Sequence, residues 1–283
     1  MKRVTIGYIF NEPYLRKDEK FFMKVAKEKN IDLIMINTAK DLNEKELEEK
    51  IKKCDILFNN SAEDFAVEIV KTIEELGKKV IESSKEFYYV EDKWMFYLRC
   101  IEHKIPSPET ILLSQNTIMI KKELKEFGHW PVILKRVEGT MGQYVDKAEN
   151  LGEAEKIINR FWKKGSDKLP VIAQEFIHSP SYRVTVVGDK IVQTAIKESK
   201  GWKATGVHAI HIKKFKIDKD LQGIIKKVNK AFGMKVYGID LFKKNGRWIV
   251  LEINSAPGLD FFENEEKKLV GEILDCLRKE VKK

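Results

Sequence analysis

Cysteine is scarce in this chain. Cys54, Cys100 and Cys276 stand far apart among 283 residues and are odd in number. They support neither a disulfide framework nor a zinc-ligand spacing, which points to a reducing, cytoplasmic setting. Long hydrophobic runs are missing as well. No apolar stretch approaches the ~18–20 residues that a bilayer span requires, so no membrane partner is expected. The apolar part of the first ten residues is too short for a secretory signal and reads as a first strand. The phosphate loop GxxxxGK[ST] and the dinucleotide fingerprint GxGxxG are both absent, as are internal repeats and low-complexity segments.

Hydrophobic residues make up 43% of the chain and charged residues 34%, which excludes global disorder. The length suits roughly two domains of about 150 residues. The formal charge is +9, but Lys outnumbers Arg 45 to 8 and is interspersed with Glu along the chain. That pattern reads as a solvated mixed-charge surface rather than a stripe that tracks phosphates, and no DNA partner is expected.

The first 85 residues alternate strand and helix. Val4–Phe10, Ile31–Ile36, Asp55–Phe58 and Val80–Glu82 read as strands, with helices expected over Asp18–Lys29, Leu42–Ile51 and Ala62–Leu76. This rhythm predicts a small parallel sheet flanked by helices. One long helix is expected over Phe87–His103, with its aromatics as core, ending ahead of Pro106 and Pro108. Beyond it, hairpins are expected from Tyr182–Val187 with Lys190–Lys197 and from Val236–Lys243 with Trp248–Ile253. Helices follow at Glu153–Lys163, Asp218–Phe232 and Glu265–Val281.

Three segments carry chemistry. In the last hairpin, Glu252 and Asn254 are two apart in a strand and share a face, with Ile249, Leu251 and Ile253 alternating. If the loop is Asn245-Gly246-Arg247, Asp240 opposes Glu252, and two carboxylates and an amide oxygen converge. Such a hard-oxygen set suits Mg2+. A strict two-residue turn would put Asp240 on the wrong face, and an ordinary hairpin with outward polar residues is the competing reading. The second segment, Pro131–Val145, is a buried strand ending in Lys135-Arg136, followed by a loop with Gly139 and Gly142. Backbone N–H groups there could approach phosphate oxygens, or the glycines could simply make a turn. The third runs from an apolar strand into Gln174-Glu175-Phe176-Ile177, with Arg183 opening the next strand. It offers backbone groups to a planar base and a guanidinium to phosphate, or it is a plain connection between strands.

In this order and spacing, the three segments resemble the ATP-grasp superfamily, and within it the RimK-like carboxylate–amine (amino acid) ligases. Glu252-Ile-Asn254-Ser-Ala-Pro-Gly258 is similar to their metal-site ending, and Gly238-Ile-Asp240 to its partner strand. The resemblance implies an α/β N-terminal parallel-sheet domain (residues 1–85) followed by an α+β ATP-grasp module of two lobes (86–283). The central lobe would cover about 86–177 and the C-terminal lobe about 178–283.

It also implies roles. Lys93 and Lys135 would bind nucleotide, Thr140, Met141 and Gly142 would close over the triphosphate, and Gln174, Glu175, Phe176 and Ile177 would grip adenine. Arg183 would lie near the transferred phosphate, and Asp240, Glu252 and Asn254 would hold Mg2+, or Mn2+ in its place. Two positions depart from the family's pattern. Tyr182 stands where an acid near the ribose is common. Lys203 stands where an Arg-x-Asn motif is usual, keeping charge without the planar fork. His208 and His211 lie three apart and could orient substrate or be plain strand histidines.

The activity implied is ATP-dependent amide formation through an acyl phosphate, with Arg183 and Lys203 as catalytic cations. An amino acid such as glutamate would be added to a carboxylate on a cofactor tail or a protein C-terminus. Alternatives are a small-molecule kinase, a ligase acting on an acidic amino-acid carrier protein, and a nucleotide-binding module without catalysis. Dimers and tetramers are common in the family, so a homo-oligomer is expected by analogy.

Overall fold

The computed structural model describes residues 3–40, 43–139, 143–163, 168–198, 201–202, 211–259, 261–262 and 265–282. The β-branched runs β1 (Val4–Phe10), β2 (Ile31–Asn37), β3 (Ile56–Asn59) and β4 (Val80–Ile81) form a parallel sheet in the order β2-β1-β3-β4. Helices α1 (Lys17–Glu28), α2 (Glu44–Lys52) and α3 (Asp64–Glu75) make the crossovers. Asn43 caps α2 by accepting from Glu46 N, so that helix begins later than its apolar pattern suggests, and Leu42 lies outside the described residues. In α3 the buried residues are Ala66, Val70 and Ile73, while Phe65 and Leu76 are exposed.

The long helix expected over Phe87–His103 is two helices, α4 (Ser84–Glu91) and α5 (Lys93–Glu102). Asp92 breaks it. Its backbone is extended, with ψ of 109°, and its carboxylate accepts from Trp94 N and Met95 N, both at 2.9 Å. A side chain that caps a new helix competes with continuing the old one. Phe87, Val90 and Phe96 are core residues, but Tyr88, Leu98 and Ile101 are exposed.

Two antiparallel sheets follow. β5 (Thr110–Leu112), β6 (Val132–Arg136), β7 (Val145–Ala148) and β8 (Val171–Glu175) are ordered β5-β8-β6-β7 and covered by α6 (Thr117–Phe127) and α7 (Leu151–Lys163). β9 (Ser181–Val187), β10 (Lys190–Glu198), β11 (His211–Lys213), β12 (Val236–Lys244) and β13 (Arg247–Asn254) are ordered β11-β10-β9-β12-β13. One face of this sheet packs Val184, Val186, Ile239 and Val250 on α8 (Lys219–Phe232) and α5. The last helix, α9 (Glu266–Glu280), returns to the start of the chain. Its Leu269, Ile273, Leu274 and Leu277 share a core with Tyr8 and Phe22. No helix of the described residues is long and apolar enough to cross a membrane.

Candidate active site

The register of the last hairpin decides which side chains meet. Lys244 pairs with Arg247, so the loop is the two-residue turn Asn245-Gly246, with φ of 51° and 78°. Those are the left-handed angles that an Asn-Gly hairpin turn requires. A regular ladder from that turn would set Asp240 opposite Leu251. A bulge between Asp240 and Leu241 shifts the pairing instead, so that Leu241 pairs with Val250 and Asp240 with Glu252. The inward set on β13 is therefore Trp248, Val250 and Ile253, not the Ile249-Leu251-Ile253 alternation. Asp240, Glu252 and Asn254 do converge, but through a bulge rather than a three-residue loop.

Arg183, paired with Asp240 across β9 and β12, joins them on this face. Its Nε and Nη2 donate to Asp240 Oδ1 and Oδ2, both at 2.7 Å. The guanidinium lies over Gly238, where a Cβ would fall 2.6 Å from Nη1, which explains the glycine two residues before the aspartate. Lys197 on β10 donates to Asp240 Oδ1 at 3.0 Å, and Asn254 Nδ2 to Oδ2 at 3.3 Å. Burial would raise the Asp240 carboxyl, but Arg183 and Lys197 outweigh it and hold the group well below the usual carboxylate range. Glu252 shifts the other way. Burial and then the Asp240 charge raise it, against the pull of Lys135, Lys93 and Arg183.

Lys135 at the end of β6 is 7% exposed. Burial brings its ammonium down to about 8, with Lys93 acting in the same direction and Glu252 and Asp240 opposing. Lys93 opens α5 and donates from Nζ to the carbonyls of Gly139 (2.9 Å) and Val137 (3.4 Å), at the root of the glycine-bearing segment. Gln174 and Glu175 end β8, both buried. Gln174 Nε2 donates to Thr110 Oγ1 at 3.0 Å. Glu175 accepts from Glu109 N at 3.1 Å and pairs with Lys244, tying the two antiparallel sheets together. Ile177 is buried, and Phe176 lies beneath Lys147, whose Nζ is 5.1 Å from the ring centre.

Tyr182, next to Arg183, points to the opposite face and packs edge-on against Phe215 and Trp248. His211 is an exposed residue of the edge strand β11. Thr140, Met141, Gly142, Lys203 and His208 lie outside the described residues.

Two members of the constellation carry no motif. Lys197 follows the mixed run Ile191-Val-Gln-Thr-Ala-Ile196, and nothing in that run distinguishes it from the chain's other lysines. Glu91 is held by Ser255 Oγ at 2.9 Å, and burial pushes it up to about 7 against the pull of Ser255 and Lys93.

The donor set fits a divalent cation. Among the described residues no three His, Cys, Asp or Glu side chains converge. What converges is two carboxylates opposite one another in the ladder and an amide that donates from its nitrogen to Asp240. Mg2+ takes few protein ligands and completes its shell with water and phosphate oxygens. Burial first and the Asp240 charge second raise Glu252, and a cation beside its carboxylate would offset both.

Residues 90–277 match the family model of the RimK-like ATP-grasp domain. A probable alpha-L-glutamate ligase of Coxiella burnetii is 30% identical over 224 residues, covering 77% of this chain and 73% of the relative. The crystal structure of a RimK-domain ATP-grasp protein from Sphaerobacter thermophilus superposes with a TM-score of 0.77 at 16% identity, over 96% of this chain and 99% of that one. The ATP complex of D-alanine–D-alanine ligase from Bacillus anthracis gives 0.72 at 16% identity, over 100% and 99%. The last two are similarities of fold.

Proposed function

The chain belongs to the RimK-like ATP-grasp family of carbon–nitrogen ligases, and from that premise we propose that it joins an amino acid, glutamate, to a carboxylate acceptor at the expense of ATP. The observation that carries the reading is the row Arg183–Asp240–Glu252, its first two members buried and the third half-buried, with Lys197 and Asn254 beside it and Lys135 facing it.

A carboxylate is a poor acylating agent because oxide is a poor leaving group. Transfer of the γ-phosphoryl group to a carboxylate oxygen, with release of ADP, makes an acyl phosphate. An amine then attacks the carbonyl carbon, the C–O bond to phosphate breaks, and the amine gives up a proton. The protein's part is positioning and charge neutralisation. Lys93 and Lys135 would hold the phosphates, Gln174 to Ile177 would frame the base, and Arg183 would face the transferred group. Asp240, Glu252 and Asn254 would hold Mg2+ or Mn2+, which would supply positive charge to the phosphate groups when bound. Thr140, Met141, Gly142 and Lys203 are assigned from sequence alone. The acceptor is a small carboxylate-bearing molecule or a protein C-terminus.

The test is an ADP-release screen of amino acids crossed with carboxylate acceptors, with mass analysis of the product. Glutamate-dependent turnover and a product heavier by one glutamyl residue support the proposal. Phosphate transfer without an amine would indicate a kinase. Glu252→Ala should lower ligation at least about 10²–10³-fold while the unfolding midpoint holds or rises, since it removes a half-buried acid repelled by Asp240. Near-normal ligation by that variant would overturn the metal assignment.

A further inference from the structure

Glu82 stands where three parts of the molecule meet. It directly follows β4, and its φ of 58° lies in the left-handed region that disfavours residues with a Cβ. The next residue, Ser83, caps α4, and α4 leads through Asp92 into α5 and Lys93. The Glu82 side chain meanwhile reaches a distant part of the chain. Its Oε1 accepts from the backbone N–H groups of Lys235 at 3.0 Å and Val236 at 2.6 Å. Val236 is the first residue of β12, the strand that carries Gly238 and Asp240. The Lys235 carbonyl in turn accepts from Gly188 N at 2.6 Å, in the turn between β9 and β10. One side chain thus fastens the end of the parallel sheet to the start of the strand that bears the Arg183 partner. β12 lies inside its sheet, between β9 and β13, where Asp240 pairs with Arg183 on one side and Glu252 on the other.

The carboxyl sits in a poor place for a charge. It is 1% exposed, and Oε2 has no hydrogen-bond partner. The titratable groups that act on it or feel it are Glu86 on α4, Lys235 before β12, Tyr237 on β12 and Cys276 on α9. Lys235 is the cation among these. Burial drives the acid up to about 8 with Glu86 adding to it, while the two backbone N–H groups pull it down.

We propose that Glu82 is a positioning residue and a pH-sensitive latch: its carboxyl, accepting from Lys235 N and Val236 N, fastens the start of β12 to the end of β4 and to α4, and a charge on an acid this buried, with Oε2 unpartnered, favours opening of that junction to water, which unseats Asp240 and Lys93. The effect on Asp240 and Lys93 rests on the functional reading above; the latch does not.

The sign follows from linkage. An acid raised in the folded state contributes stability that is complete below its ordinary value. That stability is lost as pH rises toward the folded value, and the loss is complete above it. Glu82→Gln is a neutral isostere that keeps the acceptor for Lys235 and Val236 but cannot ionise. The gap in unfolding midpoint between Glu82→Gln and the unaltered protein should therefore widen from about pH 5 to about pH 8 and stay constant above. A gap that does not change with pH would overturn the latch. Glu82→Ala, which leaves the Lys235 and Val236 N–H groups without their acceptor, should unfold below Glu82→Gln at every pH; if it does not fold, the first comparison still decides.

For the site, the probe is Mg·ADP measured by calorimetry. The ratio of dissociation constants, unaltered over Glu82→Gln, should rise from about 1 near pH 6 to about 3–10 near pH 9, other titrations being common to both proteins. A flat ratio with a widening midpoint gap overturns the coupling to the site. Failure of both proteins to bind Mg·ADP at any pH overturns the functional reading instead, and the midpoint series then judges the latch alone.

Discussion

Lys197 brings its ammonium to 3.0 Å of Asp240 Oδ1 from a strand that no motif marks, and only 2% of it is exposed. Asp240 thus has two protein cations on one carboxylate, with Arg183 making the bidentate contact. Breaking a buried ion pair costs more than a surface one because the partner left behind is uncompensated. Here Arg183 remains, so Lys197→Met should lower the unfolding free energy in metal-free buffer by about 1–3 kcal/mol. Added Mg·ADP should raise the variant's unfolding midpoint more than that of the unaltered protein, since a divalent ion can replace the missing charge. Denaturant unfolding and thermal shift measure the two effects. Equal stability and equal ligand shifts would show that Lys197 is a bystander.

At the scale of elements, the break at Asp92 aims Lys93. The cap accepts from Trp94 N and Met95 N, and Lys93 N donates to Val137 O at 3.0 Å. A continuous helix would rotate Lys93 away from the root of the glycine-bearing segment. Asp92→Ala should cost about 0.5–2 kcal/mol, as loss of a cap does, and raise the KM for ATP. Asn116, which caps α6 in the same way by accepting from Ile118 N and Met119 N, supplies the control. Asn116→Ala should lose similar stability with KM unchanged. Steady-state kinetics on both variants separates positioning from mere destabilisation. The bulge in β13 belongs to this scale too. It sets Glu252 against Asp240, and nothing in the composition of Val250-Leu251-Glu252 announces it.

For the whole molecule, α9 closes the structure on itself. Leu274 is fully buried in a core shared with Tyr8 and Phe22 of the first strand and helix, and with Val187 and Val236 of the five-stranded sheet. Leu274→Ala should lower the unfolding free energy by about 2–5 kcal/mol. It should also speed amide exchange in β1 and α1, far away in sequence. Exchange that rises only within α9 would mean that the helix is an appendage.

Periodicity and turn chemistry determined much of this. The β-branched runs and their crossovers implied the parallel sheet. Asn245-Gly246 marked the place of the last hairpin turn but not its two-residue length, and those signals are local: side-chain alternation, φ preference and spacing along one strand. Lys135, Arg183, Asp240, Glu252 and Asn254, which the structure brings together, were recognisable as a set only through the resemblance of their three segments to a known family. What only the tertiary structure decided depends on partners distant in sequence. The facing of Asp240 and Glu252 required a bulge, a property of the pairing between strands. The two helices at Asp92 required a cap to outweigh an apolar pattern. Lys197 and Glu91 entered the site because their strand and helix pack beside it, and a buried charge has no signature until the group that balances it is in place.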